Sequence, residues 1–118
     1  MKKKKRLVLL FCVLGFSILL ASIFDTVEVI GFSMEPTYHN RDWLLFIKPW
    51  ITTISPGDVV VVVDPEGDLV IKRIRYIKDG EAFLVGDNLN YSDDSREYGT
   101  ISVSNIQGKI LFGKRRSQ

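Results

Sequence analysis

A serine hydroxyl and a lysine amine are the two side chains of this 118-residue chain that could together perform acyl-transfer chemistry. Ser33 lies in the segment GFSMEPT, between a glycine and a proline-bearing turn. Lys72 lies in LVIKRIRYIK, a run rich in the residue types of β-strands. A serine hydroxyl by itself is a poor nucleophile and needs a neighbouring base that takes its proton. Whether Lys72 can be that base depends on its surroundings in the strand.

The strand that carries Lys72 predicts an apolar environment for its amine. Side chains alternate across a strand, so the other residues on the face of Lys72 are uncharged, namely Val70, Ile74 and Tyr76. Arg73 and Arg75 fall on the opposite face. Burial lowers a lysine pKa, by roughly 3–5 units when it is complete, and a neutral lysine can take a proton whereas arginine cannot. The alternative is that Lys72 extends from the rim of the sheet into solvent.

A third polar segment, GDNLNYSDDSREYG at residues 86–99, could position the lysine. It has the composition of a polar surface loop. The more specific interpretation is that Asp87, Asp94 and Arg96 form a salt-bridge network that stiffens the loop. Ser92 would then orient the Lys72 amine through a hydrogen bond, since a neutral amine needs a partner that directs its lone pair.

Few residues of this chain could support other kinds of catalytic or metal site. Cys12, the only cysteine, lies in an apolar N-terminal run, so the sequence predicts no intrachain disulfide and no thiolate nucleophile outside that run. His39, the only histidine, lies in the polar turn YHNRD, which favours a structural role over a catalytic one. One histidine and one cysteine do not make an ordinary zinc site, and no metal or cofactor is predicted. Residues 25–118 carry a net charge of −3, which argues against a nucleic-acid surface.

The N-terminus has the pattern of a membrane anchor. Residues 2–6 are all basic, and residues 7–24 carry no charge. Eighteen helical residues span roughly 27 Å, close to the hydrocarbon thickness of a bilayer. A cleavable secretory signal also begins with positive charge, but its apolar run is usually shorter. The pattern predicts a cytoplasmic basic segment at 1–6, a transmembrane anchor at 7–24 and an extracytoplasmic domain at 25–118.

The rest of the chain reads as short strands separated by turn residues. The candidate strands are residues 26–32, 43–48, 59–64, 69–78, 82–85 and 109–112. One helical turn is expected near residues 103–106, and the basic residues 114–116 are expected to form a solvated tail or to contact lipid headgroups. The predicted fold is mainly β: a small antiparallel barrel-like or folded-sheet catalytic domain after one transmembrane helix.

Together these stretches resemble the bacterial-type signal peptidase I family (peptidase family S26), in a short form, which uses a serine–lysine dyad. The resemblance implies that Ser33 in GFSMEPT is the nucleophile and that Lys72 in VIKRI is the general base. It implies that Ser92 orients the lysine, that Asp94 and Arg96 form a structural pair, and that Asp87 belongs to the same network. Position 31 is glycine, where some members have a serine that assists the oxyanion hole. Here the hole is expected to use the Ser33 backbone N–H.

The function implied by the resemblance is a membrane-anchored serine endopeptidase that removes signal peptides from exported preproteins. Its partners would be those preproteins and the lipid bilayer of the cell membrane, with no nucleic acid and no cofactor. Two alternatives remain open: a self-cleaving repressor-type peptidase with the same dyad, and a catalytically silent anchored β-domain that binds export partners.

The residues that precede the nucleophile are candidates for substrate binding. Val29, Ile30 and Gly31 read as a strand edge along which an extended peptide could add. Side chains that could floor two shallow pockets are Val29, Val70 and Ile71, at positions that shape such pockets in the family. Because β-branched residues would fill that space, we expect small side chains at the first and third positions before the cut, an Ala-x-Ala preference.

Overall fold

Seven strands and one long helix make up most of residues 1–114, the part of the chain that this computed structural model describes. The predicted basic tail beyond residue 114 lies outside the described residues. The helices are α1 (Lys2–Ile23) and the short α2 (Ser95–Tyr98). The strands are β1 (Phe24–Glu28), β2 (Trp43–Ile47), β3 (Val59–Val63), β4 (Leu69–Lys78), β5 (Glu81–Val85), β6 (Ile101–Ser102) and β7 (Ile106–Lys114). Single 3₁₀ turns occupy Pro49–Ile51, Leu89–Tyr91 and Val103–Asn105.

Helix α1 is long and apolar enough to cross a membrane. It has 22 residues with a mean hydropathy of 2.4 in its most apolar window, and none of that window is buried against the rest of the protein. Its last residue, Ile23, is followed directly by β1, and the Ile23 carbonyl accepts a hydrogen bond from the Lys48 N–H. The helix therefore leads into the edge of the sheet without an intervening linker.

The strands form one antiparallel half-barrel sheet in the order β1-β2-β7-β3-β4-β5-β6. This confirms the predicted mainly-β fold after an N-terminal apolar helix. Strand β3 consists of five valines, four of them buried, and β-branched side chains suit a sheet that is covered on both faces. The first half of β4, residues 69–73, pairs with β3, and the second half, residues 73–78, pairs with β5. Lys72 therefore lies in an interior strand, where its side chain is covered.

Successive valines of β3 contribute to two different cores, one on each face of the sheet. Members of the first core are Val29, Met34, Leu44, Phe46, Val59, Val61 and Ile71. Members of the second are Val60, Val62, Ile74, Ala82, Leu84, Ile101 and Ile106. The alternation along β3 follows from the pleat of the strand.

A β-bulge in β4 breaks the strict alternation that the sequence suggested. Ile74 pairs with Leu84, but Tyr76 pairs with Phe83, so one extra residue is inserted on β4 between them. Tyr76 consequently leaves the face of Lys72; it is 43% exposed and stacks on Phe83 with ring centroids 5.0 Å apart. Ile77 packs against the second core instead. The placement of Tyr76 beside Lys72 was therefore wrong.

The segment before Ser33 is not a continuation of β1. The strand was predicted to reach residue 32 but ends at Glu28. The Val29 N–H donates to the Asp42 carbonyl, and the Val29 carbonyl accepts from the Arg41 N–H. Because these bonds lead into a turn, the chain leaves the sheet there. The helical turn expected near residues 103–106 is the 3₁₀ turn at Val103–Asn105, whereas α2 and β6 were not predicted.

Candidate active site

Lys72 is buried in the sheet, with only 4% of its surface exposed. Its Nζ donates a hydrogen bond to Ser92 Oγ at 3.1 Å. Burial lowers the pKa of Lys72 below its usual value, although the negative charges of Asp94, Asp93 and Asp64 partly oppose that shift. The side chain does not extend into solvent. A buried amine with a lowered pKa is more easily held in the neutral form that can accept a proton.

Ser92 links the lysine to a fully buried carboxylate. Ser92 Oγ donates to Asp94 Oδ2 at 2.7 Å, and Asp94 has no exposed surface. The buried Gly86 N–H also donates to Asp94 Oδ2, at 2.9 Å. Burial alone would raise the pKa of Asp94, but hydrogen bonds from Arg96, Gly86 and Ser92 hold it well below its usual value. Asp94 is therefore ionised, and its charge fixes the Ser92 hydroxyl as a donor to Asp94 and an acceptor for Lys72.

Arg96 completes the arrangement around Asp94. Its Nε donates to Asp94 Oδ1 at 2.9 Å, and its Nη2 donates to Oδ2 at 3.1 Å. The Arg96 backbone N–H also donates to Asp94 Oδ1, so Asp94 caps the N-terminus of α2. The same guanidinium donates to the Leu89 carbonyl at 2.7 Å and ties α2 to the 3₁₀ turn at Leu89–Tyr91. The predicted pairing of Asp94 with Arg96 is present in this geometry.

Asp87 belongs to a different ion pair from the one expected. It does not contact Arg96; instead Arg73 of β4 donates from Nε and Nη2 to the two Asp87 oxygens, each at 2.8 Å. Arg73 also donates to the Gly57 carbonyl at 2.7 Å, and the Thr37 hydroxyl bonds Asp87 Oδ2. The hydrogen bonds to Arg73 are the main reason that the pKa of Asp87 lies below its usual value. Thr37 follows Ser33 in the same turn, so Asp87 connects the serine segment to the strand that carries Lys72.

Ser33 is half-buried and lies beside the Ser92 segment. Its carbonyl accepts a hydrogen bond from the Asn88 N–H at 2.8 Å. A β-carbon added at Gly86 would collide with both the Ser33 carbonyl oxygen and the Ser92 side chain, so these two groups meet over that glycine. Within residues 1–114 no hydrogen bond joins Ser33 Oγ to Lys72 Nζ. Such contacts are often long before substrate binds and shorten in the complex.

His39 is held in the turn between β1 and β2. Its backbone N–H donates to Asp42 Oδ2 at 2.8 Å, and its Nδ1 lies 3.9 Å from the same oxygen. Asp42 is buried, and its N–H donates back to the His39 carbonyl. These contacts agree with the structural role expected for this histidine.

The residues expected to bind substrate are divided between the faces of the sheet. Val29 and Ile71 are buried in the first core, whereas Val70 packs against the second. Ile30 is 76% exposed. Gly31 has a φ of +100°, a left-handed conformation that favours glycine. The structure thus brings Val29 and Ile71 together and separates Val70 from them.

A cluster of three carboxylates outside this region has the spacing of a cation site. Carboxylate oxygens of Asp64, Glu66 and Asp68 lie within 4.8 Å of one another in the turn between β3 and β4. Asp64 Oδ1, however, accepts hydrogen bonds from the Glu66 and Asp68 backbone N–H groups. A turn closed by an aspartate side chain accounts for this clustering.

Sequence reasoning missed four residues that shape the site. They are Thr37, Arg73, Gly86 and Asn88, and all of them lie inside the three segments that had been singled out. Arg73 directly follows Lys72, but no local pattern links it to Asp87, which lies 14 residues further along the chain. Gly86 and Asn88 flank Asp87, where a glycine beside a polar turn indicates a close approach of backbones.

Comparison with known proteins places most of the chain in one family. Residues 24–111 match the family described as Peptidase S24-like. A Xenopus tropicalis protein named mitochondrial inner membrane protease subunit 1 is 34% identical over 75% of this chain and 67% of its own length. The Mus musculus protein of that name is 33% identical over 70% of this chain and 64% of its own length. The Saccharomyces cerevisiae one is 40% identical over 50% of this chain and 36% of its own length. The chain thus spans about two thirds of the two animal relatives.

Proposed function

Because this chain belongs to the Peptidase S24-like family, we propose that it is a membrane-anchored serine endopeptidase with Ser33 as nucleophile and Lys72 as general base. The observation that carries the proposal is the buried Lys72 amine. It donates a hydrogen bond to Ser92 Oγ, and Ser92 Oγ in turn donates to the ionised Asp94. Within residues 1–114 the Lys72 amine has one hydroxyl as its hydrogen-bond partner, and such burial does not favour a purely structural lysine, because an unpaired ammonium is costly to desolvate. A lysine that works as a neutral base needs that environment.

The reaction would proceed through an acyl-enzyme. Ser33 Oγ attacks the scissile carbonyl while Lys72 Nζ takes the hydroxyl proton, and the resulting ammonium gives that proton to the leaving amine. Lys72, neutral again, then takes a proton from a water molecule that attacks the ester carbonyl. The Lys72 ammonium returns this proton to Ser33 Oγ as the ester bond breaks, which restores the hydroxyl and the neutral amine. Ser92 accepts one N–H of the amine throughout, which leaves the lone pair free to point elsewhere. Ser92 is a positioning residue in this scheme, since it acts through Lys72.

The oxyanion of the tetrahedral intermediate would be stabilised by the Ser33 backbone N–H. Within residues 1–114 this N–H donates to no other group of the protein, so the donor is available. Gly31 offers no hydroxyl for this purpose. A preorganised donor of this kind is worth roughly 10²–10³ in rate.

The proposed substrates are the N-terminal signal peptides of exported preproteins. Relatives are named as subunits of a membrane protease, and α1 could hold this domain beside the bilayer, where such a cleavage site emerges. The basic residues at 2–6 favour a cytoplasmic N-terminus and a catalytic domain on the far side of the membrane. The relatives carry the name of the mitochondrial inner membrane, whereas for this chain we propose a single pass through the cell membrane.

The substrate's small side chains would face an apolar floor. Val29 and Ile71 are buried in one cluster with Met34, the residue after Ser33, and this packed surface would admit only small side chains. Val70 lies on the other face of β4 and could floor a second contact on the side of Lys72. An extended peptide could pair with the backbone of Ile30 and with the Gly31 carbonyl, because the backbone of Val29 and the Gly31 N–H are already engaged. We therefore retain the proposal of an Ala-x-Ala preference.

Cleavage of a preprotein in trans tests the proposal. The detergent-solubilised full chain is incubated with a preprotein, in parallel with Ser33→Ala and Lys72→Arg. We expect the unmodified chain alone to release the mature protein, because each variant lacks one member of the dyad and arginine stays protonated. Cleavage only of the chain itself would indicate the self-cleaving repressor-type alternative. No cleavage by any form would indicate a silent anchored domain.

A further inference from the structure

Asn88 donates two hydrogen bonds to the segment that carries Ser33. Its backbone N–H bonds the Ser33 carbonyl at 2.8 Å. Its side-chain Nδ2 bonds the Phe32 carbonyl at 3.0 Å. A carbonyl can only accept, so the amide of Asn88 must face Phe32 with its nitrogen. One residue of the Gly86–Gly99 loop thus holds the carbonyls on both sides of Ser33.

The Phe32 carbonyl and the Ser33 N–H belong to the same peptide group. That peptide bond is trans, since the one cis bond of residues 1–114 precedes Pro36. In a planar trans peptide the C=O and the N–H point in opposite directions. A donor that fixes the direction of the Phe32 carbonyl therefore also fixes the direction of the Ser33 N–H.

We propose that Asn88 is a positioning residue that aims the oxyanion donor: its side-chain amide anchors the Phe32 carbonyl and thereby directs the Ser33 N–H toward the developing oxyanion. This inference rests on the proposed function. A bond to the carbonyl also polarises the peptide group and strengthens its N–H as a donor. The role is distinct from that of Ser92, because Asn88 acts on the backbone of the nucleophile and Ser92 on the base.

Two further contacts bear on how completely Asn88 controls this peptide. The Phe32 carbonyl also accepts the Glu35 N–H at 3.2 Å, so loss of the amide leaves one weaker anchor. On the other side, Asn40 Oδ1 accepts the Gly31 N–H at 2.8 Å and holds Gly31 in its left-handed conformation. The peptide is therefore restrained from several directions, and removal of the Asn88 side chain should misdirect the Ser33 N–H without releasing the segment.

The alternative is that Asn88 only fastens its loop to the serine segment. A residue that only holds the loop in place would affect stability and substrate binding, whereas a residue that positions the oxyanion donor acts in the transition state. Loss of an interaction made only in the transition state lowers kcat and kcat/KM equally and leaves KM unchanged. The pH profile should also keep its apparent pKa, because Asn88 does not touch Lys72.

The test measures kcat, KM and the pH profile of the full chain carrying Asn88→Ala, with Asn90→Ala as matched control. Asn90 is an exposed asparagine of the same loop, and its side chain makes no hydrogen bond within residues 1–114. Asn88→Ala keeps the backbone bond to Ser33 and removes only the amide. We expect kcat to fall about 10- to 100-fold, less than the roughly 10²–10³-fold loss for an oxyanion donor removed outright. KM and the apparent pKa should stay unchanged, and Asn90→Ala should match the unmodified chain.

Asn88→Leu covers the case in which Asn88→Ala does not fold, since leucine keeps the approximate volume but cannot donate. It should show the same fall in kcat. A normal kcat in a folded Asn88 variant, or a rise in KM with kcat unchanged, would overturn the inference. If Ser33→Ala, assayed alongside, retained activity, the proposed function would fail first and the inference with it.

Discussion

The hydroxyl of Ser92 offers a sensitive test of how the base is held. The change Ser92→Ala removes the acceptor that lies 3.1 Å from Lys72 Nζ and the donor that lies 2.7 Å from Asp94 Oδ2. The methyl group that remains can neither orient the amine nor satisfy the carboxylate. Both catalysis and stability should therefore respond.

The expected magnitudes follow from the contacts that survive. Asp94 Oδ2 keeps its bonds from the Gly86 N–H and from Arg96 Nη2, so its charge remains compensated. A hydrogen bond to a charged group is worth about 1.5–3 kcal/mol, and we expect the free energy of unfolding to fall by about 1.5 kcal/mol, the lower end. An unoriented amine still reaches a serine in part of its rotamers. We therefore expect kcat to fall about 10²-fold, less than full loss of the base, because general bases contribute roughly 10²–10⁴.

The assay compares kcat and denaturant unfolding for Ser92→Ala, Ser92→Thr and Ser55→Ala, with Lys72→Arg measured for kcat alongside them. Ser92→Thr keeps the hydroxyl and should retain much of the activity. Ser55→Ala is the matched control, since Ser55 is exposed and its hydroxyl makes no hydrogen bond to any other described residue. If Ser92→Ala kept normal kcat while Lys72→Arg was inactive, the lysine would not need Ser92, and the reasoning would be refuted.

Three further predictions concern the frame of the site, its pockets and its orientation. Arg73→Lys keeps the charge but loses the paired bonds to Asp87, so the free energy of unfolding should fall by about 1 kcal/mol in denaturant titrations. In a peptide series, enlargement of the first or third residue before the cut from Ala to Leu should lower kcat/KM, and Ile71→Ala should reduce that penalty. Protease added outside intact spheroplasts should digest the chain beyond about Asp25, as the charge pattern requires.

Each of these predictions has a result that would contradict it. An Arg73→Lys chain as stable as the unmodified one would show that the two parallel hydrogen bonds from Arg73 to Asp87 contribute nothing to stability. Equal cleavage of Ala and Leu peptides would remove the pocket argument. A protected C-terminal domain would reverse the proposed orientation and take away the proposed substrates.

Local patterns predicted much of this fold. The run at Leu69–Lys78 forms one strand with the expected bounds, and the polar turns before and after it fall where turn residues cluster. The strand pattern left open whether Lys72 is buried or extends from the rim into solvent, and the structure has it buried. The side chain of Tyr76 was assigned to the wrong face because strict alternation assumes a strand without a bulge. Whether a bulge forms depends on how β4 pairs with its neighbour β5. That pairing is not visible in the residues of one strand.

The sequence did not reveal which charged residues pair when they lie in different elements of the fold. Asp87 was assigned to Arg96, nine residues away in the same loop, because a neighbour in sequence is the simplest ion-pair partner. Its actual partner, Arg73, is 14 residues away and is brought there by the pairing of β4 with β5. The short β1 was misjudged for a similar reason, since Phe24 had been counted with the anchor and Val29 bonds to the turn before β2.

The pH dependence of kcat/KM tests the central claim, that a buried neutral lysine is the base, most directly. Lys72 is active when deprotonated, so the rate should rise as pH increases through its pKa. Burial lowers that pKa, and the rise should therefore be centred clearly below the value of about 10.4 for an unperturbed lysine. It should follow a single deprotonation. A rise centred at about pH 10.4 or above would contradict the account, because it would mean that the catalytic amine is as solvated as a surface lysine.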